Sequence, residues 1–483
     1  MKYLDSFADI MKHTTSPWIA LIIVLTAPLL SVIDIFIVNV AIPSIKIGVH
    51  ASDGQIQLVI AGYLLGYASF LITGGRAGDD FGRKTVFFWG MLSFTVFSCL
   101  CGLSQTPLLL NVTRFFQGMS ASFMVPQAIA FIQILFTDPK ERAKAFGWFG
   151  ITLGIASIIG QVLGGYLSEI HTFIDGWRFI FFINLPVGLV ALWATHHFLP
   201  ETGRHAKLAF DYSGIAILTL GLFCLIYPLT QGREAGWPLW SIVLLLLSMV
   251  SFVYFIYDQK EKLKKGVSPL INMELFNNKD FSIGLIAVLF QFMMHTSYLL
   301  TSAVFLQNGL GISSANAGLY FVLPGILFTL SSVTASKLLP RYGKLIPQSG
   351  ILIIILSFAL QIHFFKSSVS GGIIFILMGI YGMGNGLVLP SLLNLALKGV
   401  PQKFAGAAAG VYSTFQQTAS ALGICIIGGI FYSVADTGSN TWNYTKAFEY
   451  STYANILCLV LTGLMLALLP KAKNDTHELH IAE

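Results

Sequence analysis

Fourteen times along this 483-residue chain, a run of about twenty mostly apolar residues recurs, and no other feature restricts the fold as strongly. An α-helix rises about 1.5 Å per residue, so about 20 residues cross the hydrocarbon of a bilayer. The runs fall near 17–45, 55–77, 84–103, 107–136, 142–168, 177–198, 212–230, 239–257, 281–308, 314–339, 345–364, 370–397, 403–432 and 449–469. Charged residues make up 10% of the chain, against about 25% in soluble proteins, so too little polar surface remains to face water. In lipid every backbone N–H and C=O must be bonded within the protein, which makes each run a helix. The expected class is an all-α integral membrane protein of 14 transmembrane helices.

Charge placement orients these spans. An even number of crossings leaves both termini on one side. Of the 28 Lys and Arg, 22 then fall at the termini or in the even-numbered connections. Only Lys46, Arg178, Arg233, Lys366 and Lys446 fall on the other side, and Arg114 lies within span 4. The positive-inside rule therefore places both termini in the cytoplasm; the expected location is a bacterial-type inner or plasma membrane. Before the first span, Tyr3, Leu4, Phe7, Ile10 and Met11 share one helical face, which suggests a short helix lying on the membrane, with a frayed terminus as the alternative. No secretory leader is expected there, because the following apolar run is too long and lacks a cleavage site. The five cysteines all sit in apolar runs and read as small buried hydrophobes.

The two ends of the chain repeat each other. "GMSASFMVP" (118–126) matches "GMGNGLVLP" (382–390) at an offset of 264, where Gly164-Gly165 also meets Gly428-Gly429. At an offset of 261, "GGRAGDDFGRK" (74–84) has a degraded copy in "SKLLPRYGK" (336–344). The excess of the offset over a six-span half equals spans 7 and 8. The expected organisation is a segment 1–16, a six-helix bundle 17–200, an inserted pair 201–268 with its flanking loops, a second six-helix bundle 269–470 and a tail 471–483. Paired halves with a site between them are a transporter pattern.

These residues resemble the major facilitator superfamily, in its 14-span drug:proton antiporter branch. The resemblance rests on "VIDIFIVNVAIPSI" (32–45), "GGRAGDDFGRK", "LNVTRFFQGMSAS" (110–122), "GWRFIFFINLPVG" (176–188), "FLQNGLGISSANAGLYFVLPG" (305–325) and "FQQTASALG" (415–423), in that order over most of the chain. It implies the fold of two pseudo-symmetric six-helix bundles and proton-coupled export of amphipathic compounds by alternating access. Two positions depart from the pattern. Gln161 replaces a proline in span 5, which leaves the direction of coupling open, and Asp80 stands where a basic residue is usual.

Asp34 is the acidic residue placed well inside a span, and Arg114 the basic one. A charge at the bilayer centre costs about 2.5–3.5 kcal/mol on insertion scales, so each needs a partner or a polar cavity. Asp34 reads as a protonatable coupling site, or as half of a packing ion pair with Arg114. Arg114 could tune Asp34, bind an anionic substrate or bond to backbone. His295 stands opposite Asp34 under the 261 offset, as a second proton-coupling candidate or a polar packing residue. Asn39, Gln57, Tyr63, Tyr67, Gln117, Gln127, Gln161, Gln291, Gln307, Asn385 and Gln417 are the candidates for lining the passage.

In the 2–3 connection, Gly75, Gly78 and Gly82 are expected to allow a tight reversal. Arg76, Arg83 and Lys84 fix its side of the membrane. The resemblance implies that Asp79 latches onto the start of span 13 near Lys403, closing the cytoplasmic side. "GDDFGRKT" lacks the spacing of a phosphate loop, and no H-E-x-x-H or G-x-S-x-G motif occurs, so the chain is not expected to be an enzyme. The expected partners are lipid, protons and a small molecule, with no nucleic acid, no metal and no cofactor, and the chain is expected to be a monomer. Other readings are an exporter of an organic acid, siderophore or lipid-like metabolite with Arg114 as anion site, or a membrane sensor or assembly partner that no longer transports.

Overall fold

The computed structural model describes residues 16–172, 174–201, 210–366, 369–401, 404–435 and 441–469. Fourteen helices long and apolar enough to span a membrane occupy most of these residues. They are α1 (Pro17–Gly48), α2 (Asp53–Phe81), α3 (Arg83–Leu103), α4 (Pro107–Leu135), α5 (Pro139–Ser168), α6 (Gly176–Phe198) and α7 (Tyr212–Gly232). The rest are α8 (Leu239–Lys264), α9 (Lys279–Gly309), α10 (Ser314–Tyr342), α11 (Leu345–Phe364), α12 (Gly371–Leu397), α13 (Gly406–Ala435) and α14 (Trp442–Leu468). The surface helix expected at 3–11, Lys403 and the tail after 470 lie outside the described residues.

Hydropathy located the helices well, except where charge continues a helix past its apolar part. Helix α8 runs to Lys264 rather than 257, because Asp258–Lys262 and Glu261–Lys265 pair one turn apart and carry the helix beyond the apolar stretch. Helix α14 begins at Trp442 rather than 449, with Lys446 and Glu449 paired at 2.8 Å in its first turns.

Packing follows the sequence repeat: a helix and the one eight places later have matching neighbours. Helix α1 packs on α5 as α9 does on α13, α2 on α4 as α10 on α12, and α3 on α4 as α11 on α12. Between the halves, α2 meets α13 as α10 meets α5. Glycines set the closest of these approaches. A Cβ on Gly118 would lie 1.9 Å from the Tyr63 carbonyl oxygen, and one on Gly382 would lie 2.2 Å from that of Pro324. Tyr63 and Pro324 are themselves repeat mates. The pair α7–α8 has no counterpart, and α7 leans on both α2 and α13.

The connections alternate between two faces, called here odd (1–2, 3–4 and so on) and even. On the odd face the halves are tied together. Gln57 Nε2 donates to the Ile424 carbonyl (3.1 Å), Gln307 Nε2 to that of Val40 (2.9 Å), and the Ala315 N–H to Glu169 Oε1 (2.9 Å). Helices α5 and α10 touch backbone to backbone there, at Gly165 beside Ser314 and Gly318 beside Gln161. Nearer the even face Phe146 and Trp148 of α5, and Leu330 and Val333 of α10, are exposed.

Candidate functional site

Asp34 lies in the middle of α1, fully buried, and its carboxylate is ringed by donors from two other helices. Arg114 Nη1 on α4 pairs with Oδ2, Gln117 Nε2 one turn further donates to Oδ1 at 2.8 Å, and Asn184 Nδ2 on α6 reaches Oδ1 at 3.3 Å. Residues 114 and 117 share one face of α4 by the i, i+3 rule, so both meet the same carboxylate. Ser98 on α3 fixes Asn184 by accepting its amide at 2.9 Å while donating to the Phe181 carbonyl at 2.8 Å.

Arg114 is equally buried, and its guanidinium is held on several sides. Nε donates to the Val59 carbonyl at 2.9 Å, and Nη1 also donates to Gln117 Oε1 at 2.8 Å. The plane rests over the Tyr63 ring at 4.4 Å, and the Tyr63 hydroxyl meets Ser31 Oγ at 2.9 Å. Such a pair, buried and bonded within the protein, stands only while both charges persist. Removing one charge leaves the other buried and uncompensated, at a cost of about 3–5 kcal/mol.

The sequence candidates do not all gather here. Asp34, Arg114, Gln117 and Tyr63 come together, with Tyr67 stacked edge-on to Tyr63 at 6.2 Å. Asn184, Ser98 and Ser31 join them without having been singled out in the sequence. Asn39 donates to the Ile35 carbonyl of its own helix at 3.2 Å. Gln57, Gln161 and Gln307 sit at the seam between halves, with Ser314 donating to Gln307 Oε1 at 2.7 Å. Gln127 is spent on the Gly74 and Phe123 carbonyls at 2.7 and 3.1 Å. Gln417 is half-buried on α13.

His295 has its hydrogen-bond partner in its own half: Nδ1 lies 2.8 Å from the Tyr381 hydroxyl on α12. One turn nearer the even face, Gln291 Nε2 donates to Asn385 Oδ1 at 3.0 Å. His295 and Tyr381 are the repeat mates of Asp34 and Gln117. The charged contact of the first half is thus answered by a hydrogen bond of equal length in the second.

The stretch 74–84 differs from the expected tight link. Residues 74–81 are the last two turns of α2, and only Gly82, at φ 92°, makes the reversal; its repeat mate Gly343 also has positive φ, at 54°. Gly78 instead admits the Gln127 side chain, whose Oε1 would stand 2.0 Å from a Cβ, while a Cβ on Gly75 would meet only Pro126 at 3.9 Å. Asp79 pairs with Arg83 at 2.7 Å, and Lys84 donates to the His196 carbonyl at 3.2 Å. Arg76 Nη2 reaches the carbonyls of Pro269 and Leu270, at 2.6 and 3.2 Å. On the odd face an open hollow of about 520 Å³, lined by residues such as Ser44, Gly48, Trp177 and Arg178, does not include Asp34. Among the described residues no three His, Cys, Asp or Glu side chains cluster as metal ligands.

The family profile of the Major Facilitator Superfamily matches residues 24–424, and the chain belongs to that superfamily, whose members are transporters rather than enzymes. It is 32% identical over 421 residues to the probable actinorhodin transporter of Streptomyces coelicolor, covering 86% of this chain and 73% of that protein. It is 30% identical to the puromycin resistance protein pur8 of Streptomyces alboniger, over 95% of this chain and 93% of the relative. The tetracenomycin C resistance and export protein of Streptomyces glaucescens is 28% identical over 429 residues, 88% of this chain and 78% of that protein. In fold, the chain is similar to a bacterial homologue of the lysosomal transporter Spinster in an inward-facing, occupied conformation. The TM-score is 0.67 at 16% identity, over 93% of this chain and 96% of that one. It is also similar to the xylose transporter XylE of E. coli, with a TM-score of 0.61 at 14% identity, over 95% and 100% of the two chains.

Proposed function

We propose that this chain exports amphipathic organic compounds across the cytoplasmic membrane in exchange for protons, with Asp34 as the coupling carboxylate. The observation that carries this reading is the buried Asp34–Arg114 pair at mid-membrane, in a superfamily of transporters. Relatives named for export of, or resistance to, actinorhodin, puromycin and tetracenomycin support the cargo class.

The mechanism follows from the pair. When Asp34 takes a proton, the attraction that holds Arg114 beside α1 disappears, and Arg114 keeps Gln117, Val59 and the faces of Tyr63 and Phe181. Helices α1 and α4 then gain freedom to shift, which alters how the first half closes on the second. If substrate and proton cannot occupy this region together, each crossing of one returns the other. Arg114 spends Nε and Nη1 within its own bundle, which disfavours it as a clamp for an anionic cargo.

The basic even-numbered connections favour the even face as cytoplasmic, with both termini there, and the proposed working unit is a monomer. The six-helix bundles and inserted pair keep the boundaries given above. Asp79, with Gly75, Arg76, Gly78, Gly82, Arg83 and Lys84 around it, forms the even-face gate.

The test is a proteoliposome assay with an imposed pH gradient and a trapped pH dye, comparing wild type with Asp34→Asn. Substrate-driven proton movement in wild type and its loss in the variant are expected. Equal transport by both would make Asp34 a packing residue, and no proton movement with any of a panel of lipophilic cations and neutral aromatics would end the antiport reading.

A further inference from the structure

Between α9 and α12 the second half carries a ladder of two polar rungs. His295–Tyr381 is the first, and Gln291–Asn385 the second. The helices run antiparallel, so stepping back four residues on α9 and forward four on α12 keeps both rungs aligned. The first rung has a counterpart in the other half, at Asp34–Gln117. The second has none: the repeat mates of Gln291 and Asn385 are Leu30 and Ala121, both buried and apolar. Packing between these helices therefore does not require two amides, since the same fold closes the equivalent place with hydrocarbon.

The second rung is also incomplete. Gln291 and Asn385 are buried to within 1% exposure, yet Gln291 Oε1 has no hydrogen-bond partner and Asn385 Nδ2 faces only the Tyr381 hydroxyl, which leaves one of its two N–H groups unmet. Flipping both amides reverses the direction of the bond between them but still leaves one donor and one acceptor unmet. A buried unmet polar atom costs about 1–3 kcal/mol, so a site that keeps two gains from whatever satisfies both. Aromatic rings stand close by. Tyr298 lies 4.0 Å from Tyr381 between ring centroids, with Phe358 at 5.6 Å from Tyr381 and Phe292 at 6.2 Å from His295. From 291 to 307 on α9, His295 is the most exposed residue, and it stands beside the ladder. The open rung lies on the even-face side of His295, the side from which the exporter proposed above would load.

We propose that Gln291 and Asn385 form a recognition subsite for neutral planar aromatic compounds that present a hydrogen-bond donor next to an acceptor, such as a carboxamide or an adjacent hydroxyl and carbonyl. Asn385 Nδ2 donates to the ligand's carbonyl and Gln291 Oε1 accepts from its N–H or O–H. The ring lies against the Tyr381 and Phe292 side of the ladder. This subsite rests on the transport reading above but names its cargo more narrowly.

The experiment is equilibrium binding to the purified full chain in detergent, read by quenching of tryptophan fluorescence. The probes are 2-naphthamide, which carries donor and acceptor, and 2-acetylnaphthalene, which carries the acceptor alone. Wild type is expected to bind the carboxamide at least about tenfold more tightly, a modest figure for a site that hydrogen-bonds its ligand. Gln291→Leu/Asn385→Leu is expected to bind both probes alike, while keeping or gaining thermal stability because its two unmet groups are gone. Gln291→Met, similar in length, removes the acceptor that reads the ligand's donor and serves if the double variant does not fold; it too is expected to lose the preference. Equal affinities in wild type, or a preference that survives in either variant, overturn the proposal. Binding needs no proton gradient, so the two readings fail separately: a preference without proton exchange keeps the subsite and removes antiport, and the reverse outcome does the opposite.

Discussion

The guanidinium of Arg76, near the end of α2, stands 2.6 Å from the carbonyl oxygen of Pro269, in the strand of chain that leads from α8 to α9. One residue on, the Leu270 N–H donates at 2.9 Å to Asp211, just before α7, whose carboxylate also accepts from Gln259, Lys262 and the Gly214 N–H. The inserted pair is thereby fastened at its even-face end to both the preceding and the following half. Burial alone would raise the pKa of Asp211. Lys262, Gln259 and the two backbone donors outweigh it and hold the carboxyl at about 2, below its ordinary 3.8.

A depressed carboxylate contributes stability above its unfolded pKa and loses it as pH falls through the folded one. The Asp211 clamp is therefore expected to be constant from pH 5 to 8 and to weaken only between about pH 4 and 2. Asp211→Ala leaves two backbone donors and Lys262 without this partner. The expected loss is near the lower end of about 3–5 kcal/mol, because Lys262 keeps Asp258. Thermal unfolding in detergent at pH 7 checks the loss, and the same measurement on wild type across pH 5–8 checks its constancy.

The Asp34–Arg114 pair predicts a non-additive double variant. Asp34→Asn strands a buried guanidinium and Arg114→Gln strands a buried carboxylate, each expected to cost about 3–5 kcal/mol. With both changed, the site holds only neutral amides that can bond to one another, and the double variant is expected to be more stable than either single one. Melting temperatures of the four proteins decide it, and additive losses would contradict the pairing. Substrate-driven proton movement is expected to be absent in all three variants.

How much of this was legible in the sequence depends on how costly each residue is in lipid. Asp34 and Arg114 announce themselves because a charge mid-span demands an explanation, and each supplies the other's. Asn184 bonds to the same carboxylate but is a neutral amide, one of many in the spans, and nothing local separates it from Gln127, which only ties helices together. The repeat was legible through glycines, since close backbone approach tolerates no other residue at Gly118 or Gly382. The end of α2 was not, because glycine and charge in 74–81 read as a loop, while burial against α4 keeps that segment helical. Partners far apart in sequence, such as Arg76 and Pro269, leave no local signal.

Two exposed-end carboxylates are expected to shift the transport cycle in opposite directions. Glu169 accepts the Ala315 N–H in the first turn of α10, where the helix dipole favours an anion, and so ties the halves on the odd face. Glu169→Gln weakens that tie and is expected to raise the population open on the odd face. Asp79→Asn removes the proposed even-face latch and is expected to raise the population open on the even face. Spin-label distances across each face read both shifts. Unchanged distances in Asp79→Asn would remove the latch, since in this conformation Asp79 has Arg83 as its partner.

Glycine substitutions offer a test of the packing that is independent of charge. At Gly118 and Gly382 the obstacle to a Cβ is a backbone carbonyl of the neighbouring helix, at 1.9 and 2.2 Å, which no rotamer change can move aside. Helices α2 and α4, or α10 and α12, must separate to admit a methyl group. Gly118→Ala and Gly382→Ala are each expected to destabilise by at least about 1–3 kcal/mol, the usual cost of overpacking. At Gly147 on α5 nothing lies within 4 Å of the added atom, so Gly147→Ala meets no clash. There the substitution gains the helix preference of alanine over glycine, about 0.8–1.0 kcal/mol. Thermal unfolding of the three variants is expected to place Gly147→Ala at or above wild type and the other two well below it. Equal tolerance at all three positions would mean that α2–α4 and α10–α12 do not approach as closely as described.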